Sequence, residues 1–332
     1  VYNHTGREFF AFADILENGE KSKYRDWYFI DGFPLKSEWG EIPNFKCFGY
    51  YGGMPKLNLK NPEVEKYITD VACYWIKECD IDGWRLDVGD EISHFFWKNF
   101  RKAVKAVKKD MLIIGEIWHY AGDFLEGDEW DTVMNYPFYL NLIDLLADEK
   151  ITVSQFVQNL GYLKGRLHKN CYPLMWNLID SHDTARFLHL CNDNKKKQHL
   201  AAAFQLLLPG MPMIYYGDEY AMPGANDPDC RRGMYWDEEY QDKEMYEWYK
   251  RLIQVRKSHA CIVEGELAGS VTEDEEGTIV LIRKNGEETI AMIFNCSSSA
   301  KKFNEYTQKY NLLTENTFDG NVEGVDAPVI VL

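Results

Sequence analysis

The chain lacks the features that would put it in a membrane, on a nucleic acid or in a disulfide framework. Its apolar residues never run to the ~18 consecutive positions a membrane-spanning helix needs, so no membrane partner is expected. Basic residues are few: 37 Lys and Arg stand against 53 Asp and Glu, a formal net charge of −16. That charge repels polyphosphates and no Lys/Arg stripe interrupts it, which argues against nucleic acid. None of the eight cysteines forms a CxxC pair. Several fall inside predicted helices or strands, the pattern of buried free thiols in a reducing, cytoplasmic setting. There is no evident signal peptide and no initiating Met. The chain opens on Val1-Tyr2-Asn3-His4, which reads as the tail of a strand, so the gene product is expected to start upstream.

What the 332 residues do contain is aromatic: 15%, including 10 Trp and 21 Tyr. Flat rings suit sugars, nucleobases and cores alike, so patterning has to decide. Residues 5–60 read as a long, irregular, aromatic-rich connection punctuated by Gly and Pro. A loop of that length inside a compact domain is usually functional. Trp27 and Trp39 there, and Trp118 later, are candidates both for packing and for stacking on a sugar. A helix is predicted from Asn61, with Asn61 as N-cap, Pro62 at the first position and Glu63 and Glu65 at the positive end. Its apolar face runs through Val64, Tyr67, Ile68, Val71, Ala72, Trp75 and Ile76.

Strands and helices then alternate. Strands are predicted at 80–88, 111–117, 130–136, 174–180 and 211–216. A helix at 92–109 turns Phe95, Phe96, Phe100, Val104 and Val107 inward. Further helices are predicted over 137–168, 196–208 and 242–258. Alternation of this kind predicts a parallel sheet covered by helices. With Val1–His4 the strands number six where a barrel has eight. The fold class is therefore α/β: an incomplete (β/α)8 barrel holding strands three to eight, with residues 5–60 as an inserted loop region. Residues 1–258 form this partial catalytic domain. Residues 259–332, with β-branched runs such as Thr278–Arg283 and Thr289–Phe294, form a C-terminal antiparallel β-sandwich.

Two short stretches end in an acid: Asp82-Gly83-Trp84-Arg85-Leu86 in Asp87, and Ile113-Ile114-Gly115 in Glu116. A carboxylate after a buried strand is costly unless paired, hydrogen-bonded or used, and the strand-end rim is where a parallel barrel keeps its chemistry. Arg85 lies two residues before Asp87, on the same side of the strand, and keeps it ionised as a nucleophile requires. Glu116 sits among Ile113, Ile114, Ile117 and Trp118, company in which a carboxyl holds its proton and serves as a general acid. Ser181-His182-Asp183 follows a third strand, with Asp183 and His182 as ligands for substrate hydroxyls. Asn3-His4 closes the first strand in the same way. Each acid also has a plainer reading, as a salt-bridge partner of Arg85, a helix-capping carboxylate or a turn. The coincidence at successive strand ends favours chemistry.

These residues carry a resemblance. Asp82-Gly83-Trp84-Arg85-Leu86-Asp87-Val88, Gly115-Glu116-Ile117-Trp118-His119 and Ser181-His182-Asp183-Thr184 resemble successive short motifs of the α-amylase family of glycoside hydrolases. Val1-Tyr2-Asn3-His4-Thr5 is similar to the end of that family's first motif, and Tyr215-Tyr216-Gly217-Asp218-Glu219 to its last barrel strand. Met54-Pro55-Lys56-Leu57-Asn58 and Glu91 resemble the neopullulanase, cyclomaltodextrinase and maltogenic amylase branch. Gly89-Asp90 departs from the branch's usual Ala-Asn.

The resemblance implies Asp87 as nucleophile, Glu116 as acid/base and Asp183 as transition-state stabiliser. Asn3, His4, Arg85, Glu91, Trp118, His119, His182 and Arg186 are implied as substrate-binding residues. The implied substrates are α-glucan oligosaccharides: maltodextrins, cyclodextrins or pullulan. No cofactor is certain. Calcium, used by some relatives, has only Asn3 as a candidate ligand, so no metal is assigned. A homodimer is an open option for the full-length protein.

A rival reading makes Asp87, Glu116 and Asp131 carboxylate ligands of a metal at successive strand ends, as in enolase-type barrels. It lacks a Lys base at those ends. A third reading is an inactive truncated or non-catalytic sugar-binding relative, since a barrel short of strands has open edges.

Overall fold

Asn61 and Pro62 start a helix for the reasons their chemistry gives: the Asn61 side chain accepts from the Glu63 amide at 2.9 Å, and Pro62 takes the first helical position. The computed structural model describes residues 2–36 and 40–332. Val1 and Trp39 lie outside the described residues. Contacts divide the chain into two compact units, Val1–Ile117 with Ala121–Met134, and Trp118–Tyr120 with Asn135–Leu332.

In the first unit, helices α1 (Phe10–Asn18), α2 (Pro62–Cys79) and α3 (His94–Val107) accompany strands β1 (Gly83–Leu86), β2 (Leu112–Gly115) and β3 (Thr132–Val133). The strands are parallel in the order β1-β2-β3, with Leu86 opposite Gly115 and Gly115 opposite Val133. α2 buries Val64, Ile68, Ala72 and Ile76, and α3 buries Phe96, Trp97, Phe100 and Val104. Those positions recur every four residues on one face.

Phe95, Val107 and Trp75, expected inward, point to solvent, Phe95 at 69% exposure. Phe95 lies about 100° around the helix from Phe96, outside the buried row, and Val107 is the last residue of its helix. The connection 5–60 is less irregular than expected: α1 buries Ala11, Phe12 and Ile15. The expected opening strand is absent among the described residues. His4 instead makes an isolated antiparallel bridge to Lys56, with Leu57 N–H donating to Asn3 O at 3.0 Å.

The second unit holds α4 (Tyr136–Leu146), α5 (Val153–Arg166), β4 (Trp176–Asn177), α6 (Phe187–Leu190), α7 (Lys195–Leu207), β5 (Met211–Pro212), α8 (Lys243–Ser258) and α9 (Ala260–Glu264). β4 and β5 are parallel. Gln205 on α7 donates to Asn177 O at 3.1 Å and Met213 O at 2.7 Å, tying helix to strands. Antiparallel strands β6 (Glu266–Glu273), β7 (Thr278–Asn285) and β8 (Glu288–Asn295) follow. Val329–Val331, Tyr310–Asn311 and Asn316–Thr317 extend them to a six-stranded sheet.

Alternation with period two puts Ile279, Leu281, Ile290, Met292 and Phe294 on one face, in one core with Phe204 of α7. Val280, Ala291, Ile293 and Ile330 face the other way against Phe303, Phe318 and Val322. Among the described residues that second layer carries the two-stranded sheet Lys301–Lys302 with Asn321–Val322. None of the eight cysteines is in a disulfide. Among the described residues no helix is long and apolar enough to cross a membrane.

The Phe204 and Phe294 rings stack at 4.2 Å with 7° between planes. Replacing Phe294 with Ala is expected to cost about 3–5 kcal/mol. In urea it should shift one cooperative transition that α7 and the sheet share. Separate transitions for helices and sheet would show that the two cores are independent.

Candidate active site

β1 and β2 end level, so the residues that follow them, Asp87 and Glu116, stand side by side. Glu116 N–H donates to Leu86 O at 2.9 Å, and Gly89 N–H to Glu116 O at 3.2 Å. Val88 turns the chain with φ 48° and ψ 46°, a conformation costly for a β-branched residue and found where function over-determines the backbone. The turn aims the Val88 N–H at Glu116 Oε2, 3.0 Å away.

Arg85 occupies the space between the acids. Its Nη1 lies 2.7 Å from Asp87 Oδ1 and its Nη2 3.1 Å from Glu116 Oε1. One planar guanidinium thus holds both carboxyl groups. Glu116 is buried, but its surroundings are not the wholly apolar ones its sequence neighbours suggest.

The rest of this half gathers around Asp87. His4 Nε2 lies 3.9 Å from Asp87 Oδ2, and the ring stacks on Phe48 at 5.2 Å. Burial pushes the His4 imidazole below its ordinary range, with Asp87 opposing. Asn3, fully buried, donates to Glu91 Oε2 at 2.9 Å, and Lys56 Nζ contacts the same oxygen at 2.8 Å. Sequence reasoning named Asn3 and Glu91 but not Lys56, whose signal was its place within Met54–Asn58.

The other expected residues lie in the second unit. His182 Nε2 is 3.1 Å from Asp183 Oδ2, while Arg231 Nη2 is 2.9 Å from Asp183 Oδ1. Arg231 also pairs with Asp227 at 2.8 Å. It was missed; the charged run Asp227–Arg232 was its only signal. Ser181 shapes the turn by accepting from the Asp183 amide at 3.2 Å and meeting Tyr136 Oη at 3.0 Å. Trp118, 41% exposed, stacks on Tyr136 at 4.2 Å, and His119 beside it is exposed. Arg186 is fully buried and pairs with Asp218 at 3.1 Å. It supports the turn from behind and offers no surface to a sugar. Trp27 is likewise buried, its Nε1 donating to Glu63 at 3.0 Å, which makes it a packing residue.

Asp131 does not join the acids. Register places it one residue before Thr132, opposite Ile113, at the start of its strand. There it pairs with Arg101 at 2.7 Å and Lys105 at 2.9 Å. The three-carboxylate metal cluster of the rival reading is therefore not assembled. Among the described residues no group of three or more His, Cys, Asp or Glu is placed to hold a metal ion. The Asn3 amide nitrogen donates to Glu91, while its Oδ1, the atom a calcium ion would take, has no hydrogen-bond partner.

Residues 1–240 match the family model of the alpha-amylase catalytic domain. The chain belongs to that family. The alpha-amylase match and its structural neighbours give the TIM-barrel class with a C-terminal antiparallel sheet. The cyclomaltodextrinase of Geobacillus thermopakistaniensis (strain MAS1) is 46% identical over 300 residues, 90% of this chain and 51% of that protein. Neopullulanase 2 of Thermoactinomyces vulgaris is 42% identical over 296 residues, 89% of this chain and 50% of that protein. A solved cyclomaltodextrinase structure superposes with a TM-score of 0.93 at 36% identity, covering 99% of this chain and 59% of that one. The chain spans about half the length of the curated relatives it matches.

The rim depends on two glycines that leave room for Trp130. A Cβ on Gly115 would meet the Trp130 ring at 2.2 Å, and one on Gly89 at 2.6 Å. Trp130 cannot yield easily, being stacked on Phe124 at 4.1 Å and buried against Trp97. Gly115→Ala is expected to destabilise by about 1–3 kcal/mol and to change tryptophan fluorescence. Gly161→Ala, in the exposed interior of α5 with open space around it, is expected to stabilise by about 0.5–1 kcal/mol. Equal effects of the two substitutions on the urea midpoint would contradict this packing.

Proposed function

We propose that this chain carries the chemistry of a retaining α-glucan hydrolase, cleaving α-1,4-glucosidic bonds in maltodextrins, cyclodextrins or pullulan. The observation that carries the reading is the single guanidinium between Asp87 and Glu116. Retaining glycosidases work with two carboxyl groups about 5–5.5 Å apart, close enough that no water fits between acid and nucleophile across the sugar. Two acids on one guanidinium suit that class better than the wider inverting arrangement.

In the first step an Asp87 oxygen bonds to the anomeric carbon, while the bond to the departing oxygen breaks and Glu116 delivers its proton there. Glu116, now a carboxylate, then takes a proton from water, whose oxygen attacks the same carbon and releases Asp87. A sugar hydroxyl in place of water gives transglycosylation, and Glu91, held by Asn3 and Lys56, is the residue proposed to meet such an acceptor. Asp183 and His182 hydrogen-bond substrate hydroxyls. Arg85 orients Asp87 through its contact at 2.7 Å.

Substrate class rests on likeness. The relatives named above are a cyclomaltodextrinase and a neopullulanase, and an Arthrobacter globiformis enzyme titled cyclic alpha-maltosyl-(1-->6)-maltose hydrolase is 32% identical with a TM-score of 0.90. A Bacillus subtilis relative at 42% identity is named an intracellular maltogenic amylase, which supports a cytoplasmic setting for this one.

In the active enzyme, Glu116→Gln is expected to lower maltodextrin turnover by about 10²–10⁴-fold. With an α-glucosyl fluoride, whose leaving group needs no acid, the same variant should accumulate a glucosyl ester on Asp87, read by peptide mass. Undiminished maltodextrin hydrolysis by the variant would overturn the assignment. Initial rates on β-cyclodextrin, pullulan and starch then place the enzyme within its branch: ring preference marks a cyclomaltodextrinase, panose from pullulan a neopullulanase.

A further inference from the structure

Two carboxyl groups that the chemistry above does not use lie almost fully buried behind the His182–Asp183 turn. Asp180 and Asp218 are each 1% exposed, and Arg186 between their segments is 0% exposed. Asp180 Oδ2 accepts from the Phe187 N–H at 2.7 Å, and Asp218 Oδ1 is 3.1 Å from Arg186 Nη1. The remaining oxygens, Asp180 Oδ1 and Asp218 Oδ2, are buried and have no donor. The two carboxyl groups lie close enough to act on each other, each with one unpartnered oxygen. A hydrogen bond between two carboxyl groups needs a proton on one of them, since ionised carboxylates only accept. Charge requires the same: two carboxylates against one guanidinium leave a net buried charge, and a single proton removes it.

We propose that Asp180 and Asp218 share one proton and act as positioning residues, tying the Ser181–Arg186 turn to the turn at Gly217–Tyr220. The first turn presents His182 and Asp183. The second is fixed from behind by Gln198 on α7, which donates to Asp218 O at 3.0 Å. The Arg186 guanidinium lies over Tyr215 at 4.5 Å and Tyr216 at 5.0 Å, which hold it beside Asp218. The charged and titratable groups facing the pair are Arg186, Glu219, Tyr139 of α4 and Tyr249 of α8. Of these only Arg186 is a cation, and it is already counted. Burial pushes both carboxyl groups above the usual carboxylate range, and Asp180 raises Asp218 further.

An acid raised in the folded state contributes stability that is present below its unfolded value, about 3.9 for Asp, and lost as pH rises through its folded value. Loss of the shared proton therefore sets two carboxylates against each other and frees the turn on the alkaline side. The effect on turnover rests on the proposed role of Asp183; the proton itself does not.

Asp218→Asn supplies an amide that donates to Asp180 with no proton to lose, whereas Asp218→Ala removes the bridge. The wild-type chain at about pH 8, where ordinary carboxyls are ionised, is expected to show an infrared band of a protonated carboxyl group that shifts in D2O and is missing from D218N. Melting temperature is expected to fall with rising pH more steeply in the wild type than in D218N. In the active enzyme the alkaline limb of kcat/KM should move to higher pH in D218N, while D218A loses about tenfold or more at every pH. A wild type without the band, or a band that survives in D218N, would overturn the shared proton. Coinciding alkaline limbs in wild type and D218N would overturn the positioning role. The infrared and melting results stand whether or not the enzyme acts on glucans, which separates this inference from the proposed function.

Discussion

A planar cation with donors along its edges is what holds the strand-end rim together. Arg85 reaches Asp87 at 2.7 Å with one terminal nitrogen and Glu116 at 3.1 Å with the other. Without it, two carboxyl groups at adjacent strand ends would repel each other, and one would have to bury an uncompensated charge. With it, they are drawn to one centre in a fixed orientation. A lysine at this position would offer a point charge and no fork. The Val88 amide donates to Glu116, and His4 Nε2 stands 3.9 Å from Asp87.

That arrangement is built on very short strands, so its precision comes from what packs behind it. β1 and β2 are four residues each, and their ends stay level because Gly89 and Gly115 admit the Trp130 ring directly beneath the rim. Trp97 caps the same layer by donating to Gly89 O at 2.9 Å. A positive φ at Val88 lets the chain leave the strand without carrying Asp87 away from Arg85. In the second unit the same logic uses polar groups: the buried Asp180, Arg186 and Asp218 stand behind the turn that presents His182 and Asp183.

What could be read from the chain was local. The pairing of Asp87 with Arg85 follows from their two-residue spacing, because alternate residues of a strand share a face. Glu116 was legible because a lone acid ends an apolar run. The rival metal reading set Asp131 beside these acids, although it lies at the opening of the strand predicted at 130–136, and the register against β2 places it at that opening. Arg186 stands three residues after Asp183 in sequence, yet its side chain is turned into the core. Proximity in sequence says nothing of direction once a turn intervenes. Lys56 with Glu91 and Arg231 with Asp183 are 35 and 48 residues apart. No periodicity encodes such meetings, which depend on how loops close over strand ends. Helix α1 was written in the spacing of Ala11, Phe12 and Ile15, but surrounding aromatic and glycine residues obscured it.

The central claim is that two acids held on one guanidinium work by a double displacement at one carbon. Proton NMR of the first sugar released from a maltodextrin, taken before mutarotation, tests it most directly. The α-anomer appearing first is the result this arrangement predicts. The β-anomer appearing first would mean a single displacement by water, and would contradict it.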